Sequence, residues 1–517
     1  MNNLNNLITI FRYRKISIAF IIVGLVYFLV FHNLVNYPKI WFDEGSHLHV
    51  PKTLVNYGVY ADYSSEGFRY YGPTIGVGPT VMLPIAASFE LFGIGLLQAR
   101  LVMSVYLLLA ILVFYLFVKQ HSGSMVAVTA TALLLTSRSV LFIHYGRQAL
   151  GEVPGFVFIM SALLLWFRNW EDSSWKNLGL VGILFGLAAV TKYQYLLFLI
   201  PMLGLAWFAN RIYYRQAPHR TFIIPAIFSG VLFAGWQAYT IIYLGPATAA
   251  ENWMLLQTAA QGAAFNFNLS QISNNLNELT TRSVYLGALF PSIIYAFFLS
   301  LPRTSSSQKW SILFILISLN LSWFVFSSIG WIRYAFLGLA LSSVFIARFF
   351  ITILDGYKLE WGKTQPVDSP VRITNAKFAY QTGMLVWLAA IILIPLAKNT
   401  LDIATARQST SEAMANYLEA NVPQDAIIET WDTEMGFLTD HRYHFPPNNL
   451  LALAVQQVYY GGELVQNHYD YVQTSKPEYI LIGEFSGWVN MYPVEQLSDM
   501  YQLVTAIDNY YLYKRIN

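Results

Sequence analysis

Apolar residues in this chain fall into blocks about 20 residues long, and that single pattern restricts the fold more than any other feature. A block of this length crosses the hydrocarbon core of a bilayer as one helix, and only helices or closed barrels satisfy their backbone groups there. The blocks lie at 16–35, 98–118, 124–143, 151–168, 177–191, 195–210, 221–243, 283–301, 309–328, 331–354 and 378–397. The composition agrees: 56% of the residues are hydrophobic and 11% are charged, where soluble domains carry roughly 25% charge. The expected fold class is mainly α, a polytopic helical membrane protein of about 11 spans. The first block is too long for the core of a signal peptide and is read as a retained span. A net charge of +3 gives no reason to expect a nucleic-acid partner, and with no cysteine there are neither disulfides nor thiolate metal sites.

Stretch 73–97 is apolar but contains Pro73, Pro79 and Pro84, with Gly76 and Gly78 between them and Glu90 near its end. Proline inside a helix costs about 3 kcal/mol or more unless neighbours compensate, so the stretch is read as short interfacial helices in a first outer loop, 36–97. Basic residues support that choice, because Lys and Arg collect in cytoplasmic loops. With the N-terminus inside, Arg12, Arg14 and Lys15, then Lys119, Arg168 and Lys176, Arg211, Arg215 and Arg220, Arg303 and Lys309, and finally Lys358, Lys363, Arg372 and Lys377 all fall on one side. Arg138, Arg147 and Arg282 are exceptions. A full crossing at 73–97 would invert every later loop. The predicted organisation is a membrane region, 1–397, followed by a small extracytoplasmic α/β domain, 398–517. In that domain 411–419 reads as an amphipathic helix, and 426–430, 479–482, 503–507 and 510–513 read as strands. The polar stretch 245–281 reads as an outer loop, and 355–377 as an inner one.

This topology brings Asp43, Glu44, Glu152, Lys192 and Arg333 near the outer face, although none of them was used to derive it. Asp43 and Glu44 follow the first span directly, and acids at such depths are functional candidates. A carboxylate at an apolar boundary has its pKa raised by desolvation and becomes a better base. The plainer reading is two acids in the first turn of a helix, favoured by its dipole. His47 lies four residues after Asp43 on the same helix face, a spacing that holds a divalent metal or merely an interfacial polar residue; His144 is a weak further ligand. Glu152, with Pro154 just inside its helix, is either a dipole partner or a second cavity carboxylate. Lys192 either snorkels or binds phosphate. Arg333, between Trp331 and Tyr334, either anchors at the interface or takes phosphate oxygens in a bidentate fork.

Taken in order, several segments resemble one known class. They are Asp43-Glu44, Leu91-Phe92-Gly93 with Arg100, Arg147 followed by Glu152-Val153-Pro154, Gly186 through Thr191-Lys192, and Arg333-Tyr334. The chain resembles the GT-C glycosyltransferases, in the branch of protein O-mannosyltransferases and lipid A aminoarabinose transferases. The resemblance implies inverting transfer of a sugar from a polyprenyl-phosphate donor to a hydroxyl of a lipid, glycan or protein acceptor on the extracytoplasmic face. Asp43 would be the general base, with Glu44 and Glu152 orienting acceptor or base. Lys192 and Arg333, with Tyr334 beside them, would hold the donor phosphate. No cofactor and no metal are expected, with His47 and Asp43 as the one place a divalent ion remains open. A bacterial inner membrane is the expected location. Two departures stand out: relatives often have Lys-Pro-Pro where this chain has Gly72-Pro73 and Val77-Gly78-Pro79, and Glu152 stands where aspartate is common. A transporter or flippase of a lipid-linked sugar is the main alternative, but such proteins carry inverted repeats and broken mid-membrane helices that this sequence lacks. A catalytically inactive scaffold presenting the tail is a third reading.

Overall fold

The structure, a computed structural model, describes residues 17, 20–70, 76–172, 174–265, 267–281, 284–355, 371–497 and 499–516. Arg12, Arg14, Lys15, the start of the first apolar block, Gly72-Pro73, Arg282, and Lys358 and Lys363 lie outside the described residues, as does the side chain of Arg372.

A helix runs through most of the described part of every expected span. Among the described residues, six helices are long and apolar enough to cross a membrane: Leu96–Thr136, Tyr193–Tyr214, Arg220–Leu244, Ser305–Ser327, Ile332–Leu354 and Val371–Thr405. Shorter apolar helices include Phe20–Phe31, Trp175–Thr191 and Leu289–Ser300. Leu96–Thr136 covers two expected spans and is broken at Gly123, whose φ of 82° is left-handed and costs glycine little. The second of these spans stops at Thr136 rather than running to residue 143. Ser137 is extended and Leu141 is left-handed, so Phe142–Arg147 forms a separate short helix.

Lipid tails are as apolar as leucine, so helices in a membrane associate by close packing. The Trp175–Thr191 helix does this through Gly182 and Gly186, one turn apart. A Cβ at Gly182 would stand 2.6 Å from both the Pro225 carbonyl oxygen and Phe228 Cβ, and one at Gly186 would stand 2.9 Å from Leu232 Cδ2. The Arg220–Leu244 helix therefore lies directly on its backbone. Around this pair an aromatic core holds Phe114, Phe156, Trp166, Phe185 and Phe336, all buried.

The difficult stretch 73–97 contains a helix, Pro79–Phe92, of 14 residues. At 1.5 Å per residue it is about 21 Å long, among the shorter apolar helices of the described residues. Its first turn is stitched to the end of Trp175–Thr191: Gly78 N–H donates to the Thr191 carbonyl at 3.0 Å. Before it come the helix Phe42–Tyr57 and a hairpin of β1 (Asp62–Ser64) and β2 (Gly67–Arg69).

Stretch 245–281 is not a loop but two helices, Pro246–Ala263 and Leu269–Thr281. The buried positions of the second, Gln271, Asn275 and Leu279, recur every four residues, but two of the three are polar. Hydropathy misses such a face. Asn275 Nδ2 donates to the carbonyls of Phe324, Val325 and Ser328, and so caps the end of Ser305–Ser327.

The tail forms a five-stranded sheet in the order β4-β3-β5-β7-β6: β3 (Ile427–Glu429), β4 (Arg442–His444), β5 (Tyr479–Ile482), β6 (Tyr501–Ile507) and β7 (Tyr510–Arg515). β3 runs parallel to β4 and β5, and β7 is antiparallel to β5 and β6. The three-residue β4 has no strand pattern long enough to read. The expected helix is Thr410–Asn421, opened by a capping box between Ser409 and Glu412.

Candidate active site

Four distant segments meet at one place. Asp43 stands in the first turn of Phe42–Tyr57, Glu152 in the first turn of Glu152–Arg168, Lys192 directly after Trp175–Thr191, and Arg333 in a short 3-10 turn that leads into the tenth expected span. Arg333 Nη1 lies 2.6 Å from Asp43 Oδ2, and its Nε lies 3.5 Å from Glu152 Oε1. The same Glu152 oxygen pairs with Lys192 Nζ. The result is an alternating chain, Asp43–Arg333–Glu152–Lys192. Its members are largely enclosed, with side-chain exposures of 22% for Asp43, 12% for Arg333, 3% for Glu152 and 18% for Lys192. The Arg333 guanidinium also lies against two indole rings, 5.4 Å from Trp41 and 5.3 Å from Trp331, which meet each other edge to face on one side of it. That arrangement uses the planar, weakly hydrated character of arginine.

Asp43 departs from expectation in one respect. Burial pushes its carboxyl upward and is the largest single influence, but Arg333, His47 and Lys192 together outweigh it, and the group ends below the ordinary aspartate value. Desolvation alone, the only effect legible from sequence, has the opposite sign.

Glu44 does not join the cluster. Arg100 grips it with both faces of the fork, Nε to Oε1 at 3.0 Å and Nη2 to Oε2 at 2.6 Å, and both side chains are completely buried. Ala149 N–H donates to Oε1 at 3.2 Å. The remaining Arg100 nitrogen donates to the Leu34 and Val35 carbonyls at 2.8 and 2.7 Å. Glu44 thus ties the helix Phe42–Tyr57 to the end of the first span and to the start of Leu96–Thr136, with no oxygen offered to an acceptor. The signal was present as Arg100 after Leu91-Phe92-Gly93, but pairing it with Glu44 rather than Asp43 needs the fold.

His47 Nδ1 hydrogen-bonds the Ala149 carbonyl at 2.8 Å. His144 lies elsewhere, edge-on to Tyr37 with centroids 5.9 Å apart. Among the described residues, no group of three or more His, Asp or Glu side chains is placed to hold a metal, so Asp43 and His47 have no third ligand beside them. The Tyr334 ring packs against Trp331 and Trp323, and its carbonyl accepts from Asn320 Nδ2 at 2.9 Å and Gln194 Nε2 at 3.4 Å. Asn320 and Gln194, which sequence reasoning passed over, hold the Arg333-Tyr334 turn in place.

Arg333 forms part of the wall of a cavity of about 1120 Å³ together with Trp41, Tyr145, Gln148, Trp331 and Tyr459. Asp43, Glu152 and Lys192 stand behind Arg333 rather than on this wall. Tyr459 belongs to the tail, as does Glu484 on the same wall, and neither carries a sequence signal. A second cavity of about 380 Å³ starts at Tyr193, next to Lys192, and continues along Ile241, Leu244, Trp253 and Leu256.

Residues 77–236 match the dolichyl-phosphate-mannose-protein mannosyltransferase family. The whole fold is similar to that of ArnT from Cupriavidus metallidurans bound to undecaprenyl phosphate, with a TM-score of 0.65 and 13% identity over 97% of this chain and 98% of that one. It is also similar to the oligosaccharyltransferase AglB from Archaeoglobus fulgidus in complex with an inhibitory peptide and a dolichol-phosphate, with a TM-score of 0.62 and 12% identity over 97% of this chain and 74% of that one. No curated protein matches in sequence.

Proposed function

We propose that this chain, whose fold is the GT-C fold, transfers a sugar from a polyprenyl-phosphate donor to an acceptor hydroxyl at the extracytoplasmic membrane face. The observation that carries this reading is the alternating chain Asp43–Arg333–Glu152–Lys192, assembled from four segments beside a cavity. A phosphate leaving group needs fixed positive charge where negative charge develops, and Arg333 and Lys192 supply it. Glu152 holds both cations in register. The apolar second cavity beside Lys192 suits the first units of a prenyl chain. The ArnT and AglB structures with bound lipid phosphates lend weight to this donor class.

In the proposed reaction Asp43 accepts the proton of the acceptor hydroxyl as its oxygen attacks the anomeric carbon. The bond from that carbon to the phosphate oxygen breaks, and the released phosphate is held by Arg333 and Lys192. One displacement inverts the configuration. Arg333 pairs with Asp43 in the structure, so an arriving phosphate competes for the same guanidinium. Glu44 serves as an anchor for the helix that carries Asp43. No metal or cofactor takes part in this scheme.

The test is transfer in membranes supplied with a panel of polyprenyl-phosphate sugars, wild type against Asp43→Asn. The variant should insert and fold normally and lose roughly a hundredfold or more in transfer, the low end of a general base's contribution. Near-normal transfer by Asp43→Asn removes Asp43 from the base role.

A further inference from the structure

We propose that the C-terminal part of the chain is a positioning element for Asp43. Through Thr433, Phe485 and the segment that Lys52 caps, it grips the helix Phe42–Tyr57 at its first turn and again at Lys52, and sets where the aspartate meets Arg333. This inference rests on the base role assigned above and deepens it.

The grip begins one residue before Asp43. The Phe42 carbonyl accepts a hydrogen bond from Thr433 Oγ1 at 2.9 Å, and the Phe42 ring stacks on Phe485 with centroids 3.9 Å apart and planes 26° from parallel. Two residues after Asp43 the contact is backbone to backbone. A Cβ on Gly45 would lie 2.2 Å from Glu434 Cα and 2.7 Å from Glu434 N, so no residue with a side chain fits unless the two segments part. The helix Glu434–Leu438 is therefore seated on the first turn of Phe42–Tyr57 as closely as two backbones allow.

Further along Phe42–Tyr57, Lys52 is buried and its ammonium group closes the same short helix. Nζ donates to the carbonyls of Gly436, Phe437 and Thr439 at 3.1, 3.2 and 2.7 Å, and pairs with Asp440 at 2.8 Å. The last carbonyls of a helix lack internal partners and carry partial negative charge, which a lysine satisfies.

The gripping surface is itself braced. The Asp432 carboxylate accepts from the backbone N–H groups of Gly483 and Phe485, each at 2.8 Å, and from Ser486 Oγ at 2.5 Å. It thus fixes the loop carrying Thr433 to the one carrying Phe485. Asp43 is consequently held between two bodies: the tail through Phe42, Gly45 and Lys52, and the membrane region through Arg333.

Ordinary stabilisation by the same contacts makes a different prediction. The titratable and charged groups facing Asp43 are Arg333, Lys192 and Tyr334 from the membrane region and His47 from its own helix, with Glu152 across Arg333. If the grip loosens and Asp43 withdraws from Arg333, its carboxyl rises, and the acid limb of the kcat/KM profile for the donor, which reports the free enzyme, moves to higher pH. A contact that only stabilises the fold lowers the amount of active enzyme and leaves that limb in place.

The experiment uses the full chain in lipid nanodiscs, with transfer normalised to folded protein, and compares wild type, Thr433→Val, Lys52→Met and Lys52→Arg. Thr433→Val and Lys52→Met should lower kcat by about tenfold, less than the ~10²-fold cost of a full 1 Å misplacement. Donor KM should change little, the acid limb should move upward, and Lys52→Arg should restore most of both. An unmoved limb with normal kcat per folded molecule in Thr433→Val and Lys52→Met overturns the proposal. Asp43→Asn measured in parallel separates the two ideas, since full transfer by that variant overturns the base assignment itself, and the positioning role with it.

Discussion

Removing the Arg100 side chain should be among the most damaging changes in the molecule, although Arg100 touches no substrate in the proposed scheme. Arg100→Leu leaves the Glu44 carboxylate fully buried with only Ala149 N–H and Gln148 Nε2, at 3.2 and 3.5 Å, near it. It also strips the Leu34 and Val35 carbonyls of their donor. Breaking a buried ion pair from one side costs about 3–5 kcal/mol, which is roughly two to four powers of ten in the folding equilibrium. Replacing both partners by apolar residues is far milder, so the double variant Glu44→Leu/Arg100→Leu should be less destabilised than the sum of the two singles. The control is Arg138→Leu, because Arg138 pairs with Asp402 at 2.5 Å with both side chains about 40% exposed, and surface pairs contribute about 0–1 kcal/mol. Thermal unfolding of the four variants in one detergent measures all these terms, and transfer per folded molecule measures the role of Glu44. An anchoring Glu44 predicts that the folded double variant keeps part of its transfer, whereas an acceptor-orienting Glu44 predicts that it keeps none. The reasoning fails if Arg100→Leu unfolds no more readily than Arg138→Leu.

Arg333→Ala should raise the donor KM more than the acceptor KM, because the proposed phosphate contact is lost; initial rates with each substrate varied in turn decide this, and an acceptor-only defect would place the phosphate elsewhere. The extracytoplasmic placement of the site is tested by a single cysteine at position 47 of this cysteine-free chain, which should react with a membrane-impermeant thiol reagent from the outer side. Reaction from the cytoplasmic side alone would invert the topology.

The membrane class and most helices were legible because a 20-residue apolar block has few other uses. The candidate site was legible as a set of residues but not as a set of pairs. Asp43 and Glu44 are chemically alike and adjacent, yet a helix turns successive side chains by about 100°, so one meets Arg333 and the other Arg100. Which acid meets which arginine depends on contacts spanning 290 and 56 positions in the chain. The helix Leu269–Thr281 was missed because its buried face carries Gln271 and Asn275, which cap a neighbouring helix rather than fill a core. The grip of the tail on Phe42–Tyr57 was invisible for a different reason: it consists of backbone carbonyls, a glycine contact and one aromatic stack, none of which leaves a spacing pattern.

The sign of the Asp43 shift leads to a last expectation that separates donor binding from chemistry. In the structure Arg333, with His47 and Lys192, holds the Asp43 carboxyl below its ordinary value against the upward push of burial, which makes it a weak base. A donor phosphate that draws Arg333 away, and adds negative charge of its own, removes the main stabiliser of the ionised form, and burial then dominates. The carboxyl should rise, which makes Asp43 a stronger base only once the donor is in place. The acid limb of kcat/KM for the donor reports the free enzyme, and that of kcat reports the bound complex. Since Asp43 must be ionised to work, activity is present above its pKa and is lost as pH falls through it. The kcat limb should therefore lie at higher pH than the kcat/KM limb. In Arg333→Gln the two limbs should converge, both displaced upward from the wild-type kcat/KM limb. Coincident limbs in the wild type would mean that Arg333 does not pass between the aspartate and the phosphate.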